Sequence, residues 1–564
     1  MKTRATLLTL ALAALTCLPA AGPAQAAGTG PYFVADLSPG RGGISVDTGA
    51  VATLGSRLFF NAWTAETGSE LFVTDGTTAG THLVSDALPG TGGSNPQHLL
   101  AFGGRIYYSA QDDAGDTELW TSDGTAAGTT RLLDLNAAGS SRPDDLVDLG
   151  DRFAFVASAD ASGDPELWTS KGTAATTVPV TQTDLSSIDA PVRLGSKVVF
   201  EGAADVGSEP YVLDPATGKV TLLRDINPGT SGSLPYALHR EAVLGGRLYF
   251  AAWGGDAQGT ELWRTDGTPE GTELVEDIDP GAGSGNPSGF WVAGNALYFG
   301  ARNDTGGQEL WRTDGATTAL VRDIAPGAAH SGPQPGTTVG TTMLFSATTE
   351  GTGVELWASQ GTAASTHQVA DINPGQGSGI TNSQLFRVGS AVYFSGYDGE
   401  THGEELWRSD GTAAGTRMVG DVGAGATWVD LLGATATTVF FTTNDGVHGM
   451  ELWAYRPPAP VPAPRVATTT RALPASWYSR TKAARKRIVV PVRVGASGRV
   501  PQGRVVIKRR GVVWGSATLV SGVVKVRLTR PLRPGRYTGF TATYGGSSTC
   551  LHSVSAPFRI VVRR

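Results

Sequence analysis

Short runs in which apolar and polar residues alternate fill most of the chain, separated every few residues by glycine. Leu248-Tyr249-Phe250-Ala251 follows the glycine-centred turn Leu244-Gly245-Gly246-Arg247, and a period of two predicts a strand with one face buried that meets a second strand at the turn. A Glu-Leu-Trp run then recurs. It stands at Glu118, Glu166, Glu261, Glu309, Glu355, Glu405 and Glu451, with variants at Glu70-Leu71-Phe72 and Glu209-Pro210-Tyr211, and the glutamates are 43 to 52 residues apart. An Asp-Gly turn comes next, as in Ser122-Asp123-Gly124-Thr125, followed by Gly128-Thr129 and a strand ending Leu132-Leu133-Asp134-Leu135. Glycine accepts positive φ and aspartate bonds nearby backbone N–H groups, so a tight hairpin is expected there. One period therefore predicts four short antiparallel strands.

A repeated four-stranded unit that is apolar on both faces buries itself only against its neighbours, which is the logic of a β-propeller blade. Seven of the 13 Trp occupy the slot after Glu-Leu, and Phe72 and Tyr211 fill it in the other two copies, so the slot is expected to pack one blade on the next. The ends of the array complement each other. Phe33-Val34-Ala35-Asp36-Leu37-Ser38-Pro39-Gly40 matches the last strand of a repeat, as in Leu223-Arg224-Asp225-Ile226-Asn227-Pro228-Gly229, whereas Glu451-Leu452-Trp453-Ala454-Tyr455 is a third strand with no fourth after it. Pairing the two removes the open seam and predicts a closed ring. The count is nine blades, with eight as the alternative if the divergent segment near Asp184 is excluded.

Glu118-Leu119-Trp120-Thr121-Ser122-Asp123-Gly124-Thr125 and its siblings resemble the ELWxxDGT repeat of bacterial secreted and surface proteins, over residues 31–456. The resemblance implies a repeat scaffold and no settled activity. Thr169-Ser170-Lys171-Gly172-Thr173 and Val212-Leu213-Asp214-Pro215 depart from the pattern.

Composition extends the picture at both ends. Lys2 and Arg4 precede an apolar run from Ala5 to Leu18, and Ala24-Gln25-Ala26 supplies small residues at a cleavage site, so residues 1–26 read as a signal peptide and an extracellular location is expected. The run is short for a membrane span and no second one follows, so the chain is not expected to be transmembrane. With the signal removed only Cys550 remains, and it reads as a packed residue.

Residues 457–464, Pro457-Pro458-Ala459-Pro460-Val461-Pro462-Ala463-Pro464, read as a semi-rigid linker. Beyond it, strands are expected at 488–494, 503–508, 516–520, 523–529, 537–544 and 558–562, making residues 466–564 a small β-sandwich. The stretch from Pro534 to Gly546 is similar to the end of bacterial Ig-like domains, with Ser547 where their pattern continues with Asp. Charge divides sharply between the two bodies. Residues 465–564 hold 21 Lys and Arg and no Asp or Glu, while residues 27–464 hold 21 basic and 51 acidic residues. A field of that sign attracts an anionic cell-wall polymer or polysaccharide. No recognised nucleic-acid module spaces Trp477, Tyr478 and Trp514, so specific nucleic-acid recognition is not expected.

No string reads as a catalytic centre. H-E-x-x-H, G-x-S-x-G and P-loop patterns are absent, and no catalytic, cofactor, metal or ligand-binding residue is assigned. Asp112, Asp113 and Asp116, or Asp398, Glu400 and Glu404, bunch before Glu-Leu-Trp and raise calcium as a weak possibility, but they lack the alternating spacing that would gather oxygens on one ion. His402 and His448 each precede the repeat glutamate by three residues and read as repeat positions on different blades. The Pro-Gly-Ser-rich connections, such as Asn227 to Pro235, Asp279 to Ser288 and Asn373 to Ser383, share a rim with these acidic loops and vary most between copies, so ligand contacts are expected on that rim. The resulting expectation is a monomeric, non-catalytic binding or adhesion scaffold with no cofactor, tethered by its basic domain. The alternative is a secreted propeller hydrolase or lyase acting on polysaccharide, marked by convergent acids, His or Arg at the central axis.

Overall fold

In the computed structural model the residues described are 30–39, 42–160, 162–180, 185–234, 241–304, 306–399, 402–423, 428–458, 465–475, 477–485, 488–519 and 521–564. The signal peptide expected at 1–26, Asp184 and residues 459–464 of the expected linker lie outside them. The described residues up to 458 and those from 465 onward form two compact units.

The first unit is a β-propeller of nine four-stranded antiparallel sheets. Blade 1 contains Ser45–Leu54, Arg57–Thr64, Gly68–Thr74 and His82–Ser85, running from the innermost strand to the outermost. Blades 2 to 8 repeat this order at residues 97–133, 144–179, 187–222, 242–276, 288–322, 334–370 and 386–420. The divergent copy after Asp184 makes a complete blade from Ser187–Leu194, Lys197–Ala204, Gly207–Asp214 and Lys219–Leu222. The count of nine therefore holds, and the alternative of eight falls. Its departures fall in the aromatic slot and the turn, and neither interrupts strand pairing.

Blade 9 is built from both ends of the array. Asp430–Ala434, Val439–Asn444 and Met450–Tyr455 take Tyr32–Ala35 as their outermost strand, with Tyr32 opposite Ala454 and Phe33 opposite Trp453. The innermost strand of blade 1 lies against those of blades 2 and 9, so the ring closes. Apolar residues of adjacent blades share clusters: Trp263 of blade 5 is 4% exposed and packs with Leu194, Val199 and Val212 of blade 4. From the end of blade 4, Arg224 places its guanidinium 5.4 Å from the Trp263 ring centre. The aromatic slot is interblade packing.

The Asp-Gly turns differ from the tight hairpin expected. In blade 2 the strands stop pairing at Thr121 and Thr130, and the loop between them holds a short 3-10 turn, Ala126–Gly128. Asp123 Oδ1 accepts from the backbone N–H and the hydroxyl of Thr125, at 2.9 and 2.7 Å. Ser122 and Thr129 share a buried hydroxyl–hydroxyl bond of 2.7 Å across the loop base. Asp, Gly and Thr thus each fill a fixed place in an eight-residue loop, which is why the string recurs whole.

The second unit is a two-sheet sandwich. Thr468–Ala472, Val489–Ala496 and Val523–Arg527 form one sheet. The other is led by Gly503–Arg509, Val512–Leu519, Gly535–Tyr544 and Phe558–Arg563. Val490, Val492, Val505, Ile507, Phe540 and the thiol-bearing Cys550 meet in its core, all fully buried. No helix among the described residues is long and apolar enough to cross a membrane.

Candidate functional site

The repeat glutamate is a buried clamp. Glu118 is fully buried; its Oε2 accepts from Leu135 N at 2.9 Å and Ser141 Oγ at 2.7 Å, and its Oε1 from Ser141 N at 3.0 Å. Leu135 and Ser141 belong to the connection that leaves the outermost strand of blade 2 and enters blade 3. Glu70, Glu209, Glu261, Glu309 and Glu355 hold the corresponding connections. Glu451 holds the one that begins blade 1, through Leu37 N at 2.9 Å and Ser38 N at 3.3 Å. Burial pushes the carboxyl pKa of all seven above the usual range, to about 7 for Glu355 and Glu451. The clamp matters for function because of where the held connection leads.

In six of the blades the connection delivers the chain to an innermost strand that bulges near its start. Asp47, Gln97, Asp144, Asp189, Ser288 and Gln334 are the last paired residues before the register shifts in blades 1, 2, 3, 4, 6 and 7. The next residue is left-handed in four of these: His98 (φ 54°), Asp145 (φ 48°), Ala190 (φ 50°) and Gly289 (φ 63°). Glycine takes that conformation freely, whereas a residue with a Cβ pays about 1–2 kcal/mol. A histidine and an aspartate held there re-aim functional side chains at the cost of strain.

Those two residues and Asp144 converge from adjacent blades. His98 Nδ1 lies 2.8 Å from Asp144 Oδ1, with both side chains about half exposed. One ligand atom from each of His98, Asp144 and Asp145 falls within 4.8 Å of the others. The bond to Asp144 raises the His98 pKa, aided by the charges of Asp144, Asp145 and Asp47, and the same bond lowers that of Asp144. With Nδ1–H donated to Asp144, Nε2 is the nitrogen left to face a ligand. The trio could also place three ligand atoms on one transition-metal ion. Its imidazole nitrogen suits calcium poorly, since calcium takes oxygen.

The residues that the sequence brought forward lie elsewhere. Asp112 Oδ1 accepts from Ala114 N and Asp116 N, and its Oδ2 meets Arg131 Nη1 at 2.6 Å, so its oxygens serve the turn and an ion pair. Glu400 is outside the described residues. His402 faces Asp398 at 4.0 Å on blade 8. On blade 9, His448 Nδ1 meets Asp445 Oδ2 at 2.6 Å and its ring stacks on Phe33 at 4.5 Å. In the sandwich, Trp477 lies under Arg563 and Trp514 under Arg530, with guanidinium-to-ring distances of 5.3 and 5.6 Å. His98, Asp144 and Asp145 were missed. Their signal was available: His98 and Asp145 each follow a clamped serine, Ser94 or Ser141, by four residues.

No family model matches the sequence, and no curated protein is found similar to it. Solved structures do resemble it. A puromycin hydrolase is 13% identical, with 61% of this chain and 58% of that chain covered and a TM-score of 0.35. The β-propeller domain of the Trilobed protease from Pyrococcus furiosus is 11% identical, with 58% and 95% covered and a TM-score of 0.31. The acylaminoacyl peptidase of Pyrococcus horikoshii is 11% identical, with 62% and 57% covered and a TM-score of 0.30. The chain spans 54–62% of the length of puromycin-hydrolysing and prolyl endopeptidase structures that it resembles. Likeness of this degree establishes the propeller fold alone. The expectation of a non-catalytic binding and adhesion scaffold is corrected by the structure itself, whose inner strands bring His98 of blade 2 to Asp144 and Asp145 of blade 3.

Proposed function

We propose that the chain is an extracellular propeller hydrolase acting on polysaccharide, with His98 and Asp144 as its proton-transfer pair. The observation that carries this reading is the meeting of His98 with Asp144 and Asp145 across the seam between blades 2 and 3. Asp144 orients the imidazole and favours its protonated form, whose Nε2–H serves as the general acid. Glycoside cleavage needs such an acid and a carboxylate that acts as nucleophile or activates water. In the step, His98 gives its proton to the leaving oxygen as the bond from the anomeric carbon to that oxygen breaks. An Asp145 oxygen bonds to the same carbon; a water oxygen then displaces Asp145 from that carbon while the water's proton passes back to His98, which restores both groups. The basic sandwich, in the same reading, holds the protein to an anionic envelope polymer.

The test is release of reducing ends from a panel of polysaccharides by the full chain. Turnover that falls about 100-fold or more in His98→Ala supports the assignment. A His98→Ala variant as active as the parent, or no turnover of any member of the panel, overturns it.

A further inference from the structure

A second feature of the same rim lies one blade away. An open-mouthed cavity of about 360 Å³ sits where blade 1 meets the start of blade 2, lined by Ser45, Asp47, Thr48, Asn61, Trp63 and Asn95 among others. Trp63 exposes 43% of its surface there, unlike the buried slot tryptophan Trp263. Asn61 is only 3% exposed, and its Oδ1 has no hydrogen-bond partner. The amide nitrogen reaches Asn95 Oδ1 at a long 3.4 Å. A buried carbonyl oxygen left unpaired costs about 1–3 kcal/mol unless a ligand or water donates to it.

These residues are not scaffold. Where blade 1 pairs Asp47 with Asn61, blade 2 pairs Gln97 with Ser109, blade 6 Ser288 with Gly300 and blade 7 Gln334 with Ser346. Two residues after Asn61 the tryptophan is replaced by Gln111, Arg302 and Thr348 in those blades. Blade 5 keeps a tryptophan at that place, Trp253, but carries Ala251 where blade 1 has Asn61, so of these five blades blade 1 alone combines a half-exposed indole with a buried amide.

We infer that this cavity binds one neutral pyranose unit of a polysaccharide. An exposed indole offers a flat apolar face for the C–H face of a sugar ring. The Asp47 carboxylate, the Asn61 and Asn95 amides and nearby hydroxyls supply acceptors and donors for vicinal hydroxyl groups. The lining holds one carboxylate and no Lys or Arg, so a uronate or sulfated sugar meets repulsion and no counter-charge. The cavity also adjoins the proposed centre: Gln97 Nε2 donates to Asp47 Oδ2 at 2.9 Å, and His98 is the next residue. The inference deepens the hydrolase reading by naming the substrate class and rests on that reading for its catalytic meaning, but sugar binding itself does not require turnover.

Titration calorimetry of the full chain carrying His98→Ala, with neutral hexasaccharides of glucose, mannose, xylose and N-acetylglucosamine and with a galacturonate oligomer as the anionic control, tests it. At least one neutral oligosaccharide is expected to bind and the galacturonate not to. Adding Trp63→Ala or Asp47→Ala should weaken binding about tenfold or more, since each removes a contact worth a tenfold change in affinity. Trp63→Phe should restore part of it, and Trp428→Ala, at a 65% exposed tryptophan elsewhere on the propeller, should leave it unchanged. No binding of any neutral sugar, equal binding by Trp63→Ala, or preference for galacturonate overturns the inference. Trp63-dependent binding in a protein with no turnover would leave the cavity standing and sink the hydrolase. His98-dependent turnover whose KM ignores Trp63→Ala would do the reverse.

Discussion

The repeat glutamates allow the same substitution to be made twice with different expected consequences. In Glu118→Gln the amide keeps one acceptor oxygen, best placed at Oε2, where Leu135 N and Ser141 Oγ donate. The new NH2 then faces Ser141 N–H, which loses the carboxylate but keeps Thr117 O at 3.0 Å. Glu309 has the same arrangement: Oε2 takes Ile324 N and Ser331 Oγ, Oε1 takes Ser331 N, and Ser331 N also reaches Gln308 O at 3.0 Å. Each variant loses one hydrogen bond to a charged group, about 1.5–3 kcal/mol, and gains from burying an amide in place of a carboxylate. A net loss of about 1–2 kcal/mol is expected at neutral pH, about 1–2 °C in Tm for a body of this size. Calorimetry should therefore find Glu118→Gln and Glu309→Gln nearly equal. Turnover should separate them, because the connection held by Glu118 leads to Asp144 and Asp145 and the one held by Glu309 leads to Gln334. Glu118 is in this sense a positioning residue, and a drop in kcat of about tenfold with little change in KM is expected for its variant alone. Equal kcat losses in the two variants, or no loss of stability in either, would refute the reasoning.

Stability should also depend on pH. A carboxyl whose folded pKa is raised binds its proton more tightly in the native state, so stability is fullest below the unfolded value near 4.5 and declines as pH rises through the folded value, about 7 for Glu355 and Glu451. Thermal scans should give a higher Tm at pH 5 than at pH 8, with a shallower slope in the double variant Glu355→Gln, Glu451→Gln; a Tm rising over that interval would contradict the burial argument. Trp263→Ala should cost about 3–5 kcal/mol in urea denaturation because it empties a closed interblade site, and a loss below about 1 kcal/mol would mean the blades do not depend on the slot. If His98 acts as the acid, activity falls as pH rises through its raised pKa. Asp144→Asn puts a neutral amide oxygen in place of the carboxylate that favours the imidazolium, so that alkaline limb should move to lower pH, and a limb that stays in place would exclude His98 as the group observed.

The regular part of the fold was legible because the same physical demand is written many times. Trp263 and its siblings announce a buried slot, and the unmatched strands at Phe33 and Glu451 announce a seam closed from both ends. The Asp123 loop was legible as a turn but not in its length, since Asp-Gly alone does not reveal that Ser122 and Thr129 close an eight-residue loop through their hydroxyls. Glu118 was visible as a constant and silent as to purpose. Its partners are two backbone N–H groups and the hydroxyl of Ser141, 17 to 23 residues onward, and of these only the serine leaves a mark in the sequence.

The centre was hidden for a related reason. His98 and Asp144 are 46 residues apart, on different blades, and become neighbours only when two inner strands lie side by side and each bulges at the same point. A motif search looks for chemistry within one stretch of chain, whereas this arrangement builds it from single residues at equivalent places in successive copies. The left-handed bulge site holds glycine at Gly289 and alanine at Ala190, but histidine at His98 and aspartate at Asp145. Holding side chains in that conformation costs stability that a scaffold need not spend. The glutamate clamp, which fixes the preceding connection through Ser94 or Ser141, supplies the rigidity against which such strain can persist. Scaffold and site are therefore one device: the residues that never vary hold in place the residues that do.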